Sequence, residues 1–342
     1  VTRSELSPEH DLPPSPFPDK KVSIINHQEI TQQLKEAQIY EARRSVSQEE
    51  ATWLGFAEYD HIPRGLVFMT DVHYGNLGVD YELLERHLET IRNTPNMFVV
   101  FAGDMIDNFN PAKIPDGMLG DGVSPQDQAE AMMQIVTELD QQGKLVAITW
   151  GNHEDFSRVA GHDVFRTWFR ELQAPIFADG GGVVNAMIEG VHYRIGIRHT
   201  FWGNSSLNKT NAPKRMMQFG YDNLDLAVVG HVHKAAGEMF TERGAERIAI
   251  TGGTYKLDDH FGKKWGHTPE PPGYTVLLYP YQKKMQLCRT PEFASDTIIN
   301  AIRNREEDGY IDPYTDMIRR LNLLREQTYL KEERERSDGE AH

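Results

Sequence analysis

Residues 66–71 read LVFMTD, residues 97–104 MFVVFAGD and residues 144–152 KLVAITWGN, three short apolar runs that each end on an acidic or amide side chain. Between them lie two stretches with helical patterning, residues 80–93 and 125–142. Strand, helix, strand, helix, strand predicts parallel strands joined by crossover helices, because a tight turn cannot close a parallel pair. Downstream of Pro175 the pattern changes. VVNAMI (183–188) and HYRIGIR (192–198) flank Glu189-Gly190 as a hairpin, and DLAVVGH (225–231), RIAITGG (247–253), YTVLLYP (274–280) and MQLCR (285–289) read as further strands. The second half is therefore expected to build a more antiparallel sheet. The whole is expected to be an α/β fold of two packed mixed β-sheets flanked by helices.

The flanks differ from this centre. Pro13, Pro14, Pro16 and Pro18 make residues 1–21 read as a tail or arm. Residues 27–44 look helical, with Ile30, Leu34 and Ala37 on one face, and Ser47 with Glu50 forms a capping-box pattern that predicts a second short helix. Residues 256–273, rich in Gly, Pro, Lys and His, read as a long loop; from Ala294 the pattern returns to helix, broken near Pro313, and runs to the charged KEERERSDGE (331–340). The expected organisation is an N-terminal tail and helical extension over 1–65, a core over 66–293, and a C-terminal helical extension with a charged tail over 294–342.

A chain of 342 residues with 39% hydrophobic and 25% charged residues suits one main domain with appendages and argues against global disorder. Its net charge of -15 excludes a uniformly basic surface, so nucleic-acid contact would need a local basic patch or metal-mediated phosphate binding. The single cysteine, Cys288, excludes an intramolecular disulfide, and beside Met285 and Leu287 it reads as a buried thiol rather than a nucleophile. The first 20 residues show no secretory pattern, and no apolar run approaches a membrane span, so no membrane and a cytoplasmic location are expected.

Five short segments fall at or just after the ends of the expected strands: Asp71-Val72-His73, Gly103-Asp104-Met105-Ile106-Asp107, Gly151-Asn152-His153-Glu154, Arg198-His199 and Gly230-His231-Val232-His233. In α/β sheets such loops converge on one rim, so ligands distant in sequence meet in space. Carboxylates and imidazoles bind divalent transition metals, and an Asn side chain offers a neutral carbonyl oxygen. A mixed nitrogen and oxygen set suits manganese, iron or zinc better than an all-oxygen magnesium site. Each segment alone is commonplace; the ordered set is far more specific.

That set resembles the calcineurin-like metallophosphoesterase superfamily, whose pattern D-x-H, G-D-x-x-D, G-N-H-[DE], H, G-H-x-H is filled at every position here, over roughly residues 66–290. The resemblance implies a four-layer α/β/β/α sandwich holding two divalent metal ions, Mn2+ first, with Fe, Zn or Mg as the others. It implies that Asp71, His73 and His233 bind one ion, that Asn152, His199 and His231 bind the other, and that Asp104 bridges both. A hydroxide shared between the ions would then attack the phosphorus in line. His153 matches the family histidine that stabilises the transition state or protonates the leaving oxygen, and Asp107 the acid that orients this histidine; the plainer reading of Asp107 is a turn residue. His162, His192, His260 and His267 lack motif spacing and read as solvated or structural. The stretch FWGNSSLNKTNAPKR (201–215) ends in Lys214 and Arg215, which fit either contact with a substrate phosphate or an ordinary loop and helix start.

Within the superfamily, Gly103-Asp104-Met105-Ile106-Asp107-Asn108 lacks the Asp-Arg-Gly continuation of serine/threonine protein phosphatases, and the lipid A pathway hydrolases carry Arg where His153 stands. SbcD-like nucleases, cyclic-nucleotide phosphodiesterases and phosphoesterases of bacteria and phages remain. The expected function is a metal-dependent phosphodiesterase of nuclease type, acting on DNA or RNA. A small-molecule phosphomonoesterase or nucleotidase is the alternative that shares the site, and a non-catalytic scaffold the alternative of another class. The expected partner is a phosphate-ester substrate, nucleic acid foremost, with the terminal helical extensions as places for a protein partner or self-association.

Overall fold

The computed structural model describes residues 50–108, 120–159, 172–177, 180–205, 207–258 and 268–307, together with Thr31, Gln32 and Lys35. The chain divides into two compact units, residues 1–46 and 47–342. Of the first unit, Thr31, Gln32 and Lys35 are described, each helical and exposed. The rest of the 27–44 helix, the 1–21 arm, and the chain beyond residue 307 lie outside the described residues, as do His162, His260 and His267.

In the second unit, β2 (Arg64–Met69), β3 (Met97–Ala102) and β4 (Leu145–Thr149) are buried at every residue, as strands covered on both faces must be. They pair in parallel, β2 with β3 and β3 with β4. The crossovers are α1 (Tyr81–Asn93) and α2 (Pro125–Gln141), and α3 (Asn152–Val159) begins just past the end of β4. The Asp80 side chain accepts from Leu83 N at α1, which buries Leu84, His87, Leu88 and Ile91 at helical spacing. Ser124 caps α2, with Pro125 in the first turn. Two later strands, β11 (Thr275–Leu278) and β12 (Met285–Cys288), return antiparallel to the β2 edge, while β5 (Ile176–Phe177) adds to the other, giving the order β12-β11-β2-β3-β4-β5.

The second sheet runs β1-β6-β7-β8-β10-β9 and comprises β1 (Glu50–Leu54), β6 (Gly181–Ile188), β7 (Val191–Arg198), β8 (Leu226–Val229), β9 (Ala235–Glu242) and β10 (Ala245–Gly252). The Glu189-Gly190 hairpin forms between β6 and β7 as expected. The sheet is not mainly antiparallel, however. β1 pairs parallel with β6, β7 with β8, and β8 with β10. Helix α4 (Asn211–Phe219) is the crossover that returns the chain to run alongside β7. β9 escaped the sequence reading because its residues are exposed or half-buried and carry no apolar alternation.

The packing is four-layered. Leu66, Phe68, Val100 and Val146 from one sheet meet Val184, Ile195, Val228 and Ile250 from the other. Outside the first sheet, α1, α2 and α5 (Pro291–Glu307) cover Val67, Val99 and Ile148; outside the second, α4 covers Val183 and Ala227 with Ala212 and Met216. Ala294, Ile298 and Ile302 of α5 are buried in this core. Cys288 is buried there too, its thiol pushed up to about 11 by burial, which makes it inert.

The capping-box expectation at Ser47 and Glu50 fails: residues 50–54 are a strand with alternating exposure, not a helix. Glu50 turns outward to an ion pair with Arg194 of β7, while Trp53 meets the Phe98 ring edge-on with centroids 4.9 Å apart. Period-two burial on the edge of a ready sheet outweighs one local cap. Replacing Trp53 with Ala should cost about 2 kcal/mol, below the 3–5 typical of a fully buried aromatic, as a lower urea midpoint at unchanged slope.

Candidate metal centre

The carboxyl ends of β2, β3, β4, β7 and β8 open on one rim, and each motif follows one of them. All nine sequence-predicted residues come together there. Asp71, His73, Asp104, Asp107, His153 and His199 are buried, Asn152 and His233 half-buried, and His231 exposed. Five of the seven candidate ligands sit on left-handed backbone: Asp71 (φ 50°), His73 (51°), Asp104 (50°), His231 (73°) and His233 (53°). Such a conformation costs an L-residue about 1–2 kcal/mol, and it lets a chain leaving a strand turn its side chain back over the strand end.

Two donor groups are distinct. Asp71, His73 and His233 form one and Asp104, His199 and His231 the other, while a third, overlapping set takes His73 and Asp104 from them and adds His153. His73 Nε2 and His233 Nε2 face each other at 3.0 Å. Two imidazole nitrogens bound about 2.1 Å from one transition metal at a right angle would stand about 3.0 Å apart. Asp71 Oδ1 is 3.4 Å from His233 Nε2 and also accepts from His231 N. In the second group, His199 Nε2 lies 3.1 Å from Asp104 Oδ2, 3.1 Å from Asn152 Oδ1 and 3.3 Å from His231 Nδ1. His199 Nδ1 donates to the Ala102 carbonyl, which leaves Nε2 as the ring nitrogen that faces the cluster. Asp104 Oδ2 also stands 4.0 Å from His73 Nε2, between the groups.

The electrostatics suit cations. Burial by itself would raise the Asp71 and Asp104 carboxyls, but the hydrogen bond from His233 and the charge of His199 hold Asp71 low, and His199 with His153 hold Asp104 well below the usual carboxylate range. Burial opposes protonation of His199, yet Asp104, Asp71 and Glu154 push it up to about 10. The buried His73 goes the other way, down to about 4 through burial and the charge of His153. Negative charge held against burial, with imidazole nitrogens converging on it, fits a pair of divalent ions.

Asp107 differs from its expected role. His153 Nδ1 does donate to residue 107, but to the backbone carbonyl. The carboxylate points elsewhere. Its Oδ2 accepts from Asn76 Nδ2 at 2.6 Å, and its Oδ1 lies 3.0 Å from Lys256 Nζ and 2.8 Å from His73 Nδ1, though off the line of a hydrogen bond. A carbonyl serves His153 because the left-handed Asn108 (φ 37°) swings the 107 peptide inward, where Asn108 Nδ2 also donates to the His153 carbonyl.

Glu154 is one residue whose role sequence reasoning missed. It is wholly buried, and its carboxylate accepts from Gly151 N, Asp104 N, Met105 N and Ile106 N at 2.7–3.4 Å. Burial and the Asp104 charge push it up to about 7. Its place as the last letter of G-N-H-E was its visible signal. Lys256, Asn76 and Thr254 had none. Lys214 pairs with Glu238 at 2.6 Å, and Arg215 lies over the Trp202 ring at 4.3 Å. His192 is an exposed β7 residue 3.2 Å from Asn185 Oδ1, away from the rim.

The model of the calcineurin-like phosphoesterases matches residues 66–235. These residues belong to that family. The matched span contains every ligand position described above. Among solved structures, the chain is similar to Vacuolar Protein Sorting 29 from Cryptosporidium parvum (16% identity, 66% of this chain and 96% of that one, TM-score 0.36). It is also similar to the calcineurin-like phosphoesterase YfkN from Bacillus subtilis (12%, 72% and 97%, 0.37) and to the Pseudomonas putida nuclease MPE (12%, 65% and 87%, 0.30). No curated protein matches the chain. No helix among the described residues is long and apolar enough to cross a membrane.

Glu154→Ala would orphan the four amides it accepts from at the rim. A loss of about 3 kcal/mol or more is expected in urea unfolding, since each unsatisfied buried group costs about 1–3 kcal/mol. Glu154→Gln, which keeps one acceptor oxygen, should fall between Ala and the parent.

Proposed function

We propose that the chain is a dinuclear-metal phosphodiesterase of nuclease type, with manganese as the working ion. The observation that supports it most is the complete donor set, in two clusters with Asp104 between them and His153 Nε2 3.8 Å from Asp104 Oδ2. Asp71, His73 and His233 would hold one ion, Asn152, His199 and His231 the other, and Asp104 both. Bound there, the ions would supply Lewis-acid polarisation of phosphoryl oxygens and offset the charge that builds in an in-line displacement.

The chain's own residues do the rest. With its Nδ1 proton committed to the Asp107 carbonyl, His153 has Nε2 as the atom that faces the site. It is the group to donate a hydrogen bond to a phosphoryl oxygen or hand a proton to the leaving oxygen. The Glu154 carboxylate keeps the Asp104 and Asn152 loops rigid, so that no reorganisation is needed during the reaction. Three residues past His199, Trp202 is 55% exposed with the Arg215 guanidinium on its ring. A cation stacked on an exposed aromatic suits a base beside a phosphate, which supports a polymeric diester over a small monoester.

A manganese-supplemented panel tests this reading: nitrophenyl phosphate, bis-nitrophenyl phosphate, cyclic nucleotides, and single- and double-stranded DNA. Diesters should be cleaved faster. A monoester faster by tenfold or more, about 1.4 kcal/mol in barrier, would move the assignment to a phosphomonoesterase. On the same diester, His153→Ala should keep both metals while losing about 100- to 10,000-fold in turnover. Asp104→Ala should lose metal in elemental analysis, because the carboxylate between the two ions is gone. Metal loss in the His153 variant, or normal turnover, would contradict the roles assigned.

A further inference from the structure

Lys256 belongs to none of the five motifs, yet its residue is 4% exposed and its Nζ stands 3.0 Å from Asp107 Oδ1 inside the wall of the metal centre. A lysine is seldom buried unless it is paired. The same Asp107 oxygen is 2.8 Å from His73 Nδ1, and the other accepts from Asn76 Nδ2 at 2.6 Å. Two lone pairs at 2.8 Å would repel each other, so His73 Nδ1 carries the proton. Its Nε2 is then left with a lone pair, 3.0 Å from His233 Nε2. The ring is therefore set from behind, by a carboxylate whose own position is set by Lys256 and Asn76.

The segment that delivers Lys256 comes off β10, in the opposite sheet, and is fastened to the D-x-H loop. Thr254 Oγ1 and Tyr255 N both donate to the Asp71 carbonyl, at 2.8 and 3.1 Å. Lys256 N donates to Thr254 Oγ1 at 3.0 Å, Asp80 N to the Tyr255 carbonyl at 2.9 Å, and Asp258 N to the Gly78 carbonyl at 3.0 Å. A long side chain anchored this closely to its target has little freedom left to lose on pairing.

We infer that Lys256 is a positioning residue for the ion held by Asp71, His73 and His233: with Asn76 it pins the Asp107 carboxylate and, through it, the ring orientation and tautomer of His73. The inference rests on the two-metal reading above and adds a sixth segment, residues 254–256, to the site. Groups that orient a ligating histidine typically change metal affinity by about 10- to 100-fold when removed.

Calorimetric titration of the chelator-stripped full-length chain with Mn2+ tests it, alongside histidine side-chain 15N spectra of the Zn2+-loaded protein. Lys256→Met should weaken one of the two binding events by about 10- to 100-fold and leave the other unchanged. His73 should at the same time lose its single Nδ1-protonated signature. If Lys256→Met does not fold, Asn76→Ala, which removes the other tether of Asp107, carries the same expectation. Two unchanged binding events with an unchanged His73 spectrum in the folded variant would overturn the inference. A parent protein that binds no Mn2+ would overturn the metal reading itself.

Discussion

Four backbone amides from two strand ends point at the Glu154 carboxylate, and this bonding makes one wall out of the Gly-Asp loop after β3 and the Gly-Asn loop after β4. Hydrogen bonds in a dry interior are strong and directional. Asp104 closes the arrangement from the other side, its Oδ1 accepting from His153 N at 3.0 Å. Asp104, Asn152 and His153 are thereby held by the same small network, so the distances among them follow from backbone rather than from side-chain rotamers. Glycine is required at this joint: a Cβ on Gly151 would run into Asp104, and one on Gly103 into the His199 ring.

The left-handed turns at Asp71, His73, Asp104, His231 and His233 are strained, and something must hold them. Part of the answer is a ladder of bonds between neighbouring loops. Asp71 N donates to the Gly103 carbonyl, His73 N to the Asp104 carbonyl and Tyr74 N to the Met105 carbonyl, each at 3.0 Å. The β2 and β3 loops thus continue their parallel pairing past the strand ends, in step. The remainder is the close-packed sandwich beneath, where Leu66, Phe68, Val100 and Ile250 fill the space between the sheets and leave the loops no room to relax downward.

The opposite end of the sandwich is tied by a different device. Arg64, at the start of β2, is almost wholly buried and donates to the Gly55 and Ile62 carbonyls and to Glu189 in the β6–β7 turn. This joins the two sheets at the end remote from the metal centre. At the near end the joint is the 254–256 segment bonded to Asp71. With both ends fastened, the rim keeps a fixed opening between Asp71 of one sheet and His231 of the other, whose backbone N–H bonds directly to the Asp71 carboxylate.

The sequence by itself determined the donor types, their order and the class of fold. These are local properties: apolar runs of strand length, two helices of the right period between them, and acidic, amide or imidazole side chains just beyond the strands. It also carried the hairpin at Glu189-Gly190 and the inertness of Cys288. Tertiary structure decided what depends on pairing across long separations. Residues 50–54 became a strand because a sheet edge was there to receive Trp53, although their local pattern read as a helix start. The Asp107 carboxylate turned from His153 to His73 and Lys256, since which neighbour a side chain reaches depends on backbone angles at 107 and 108 and on a loop 149 residues away. Glu154 looked like one more acid in a motif until its four amide partners were in place. A contact between residues 107 and 256 leaves no trace in periodicity or spacing, because it exists only once both sheets have folded against each other.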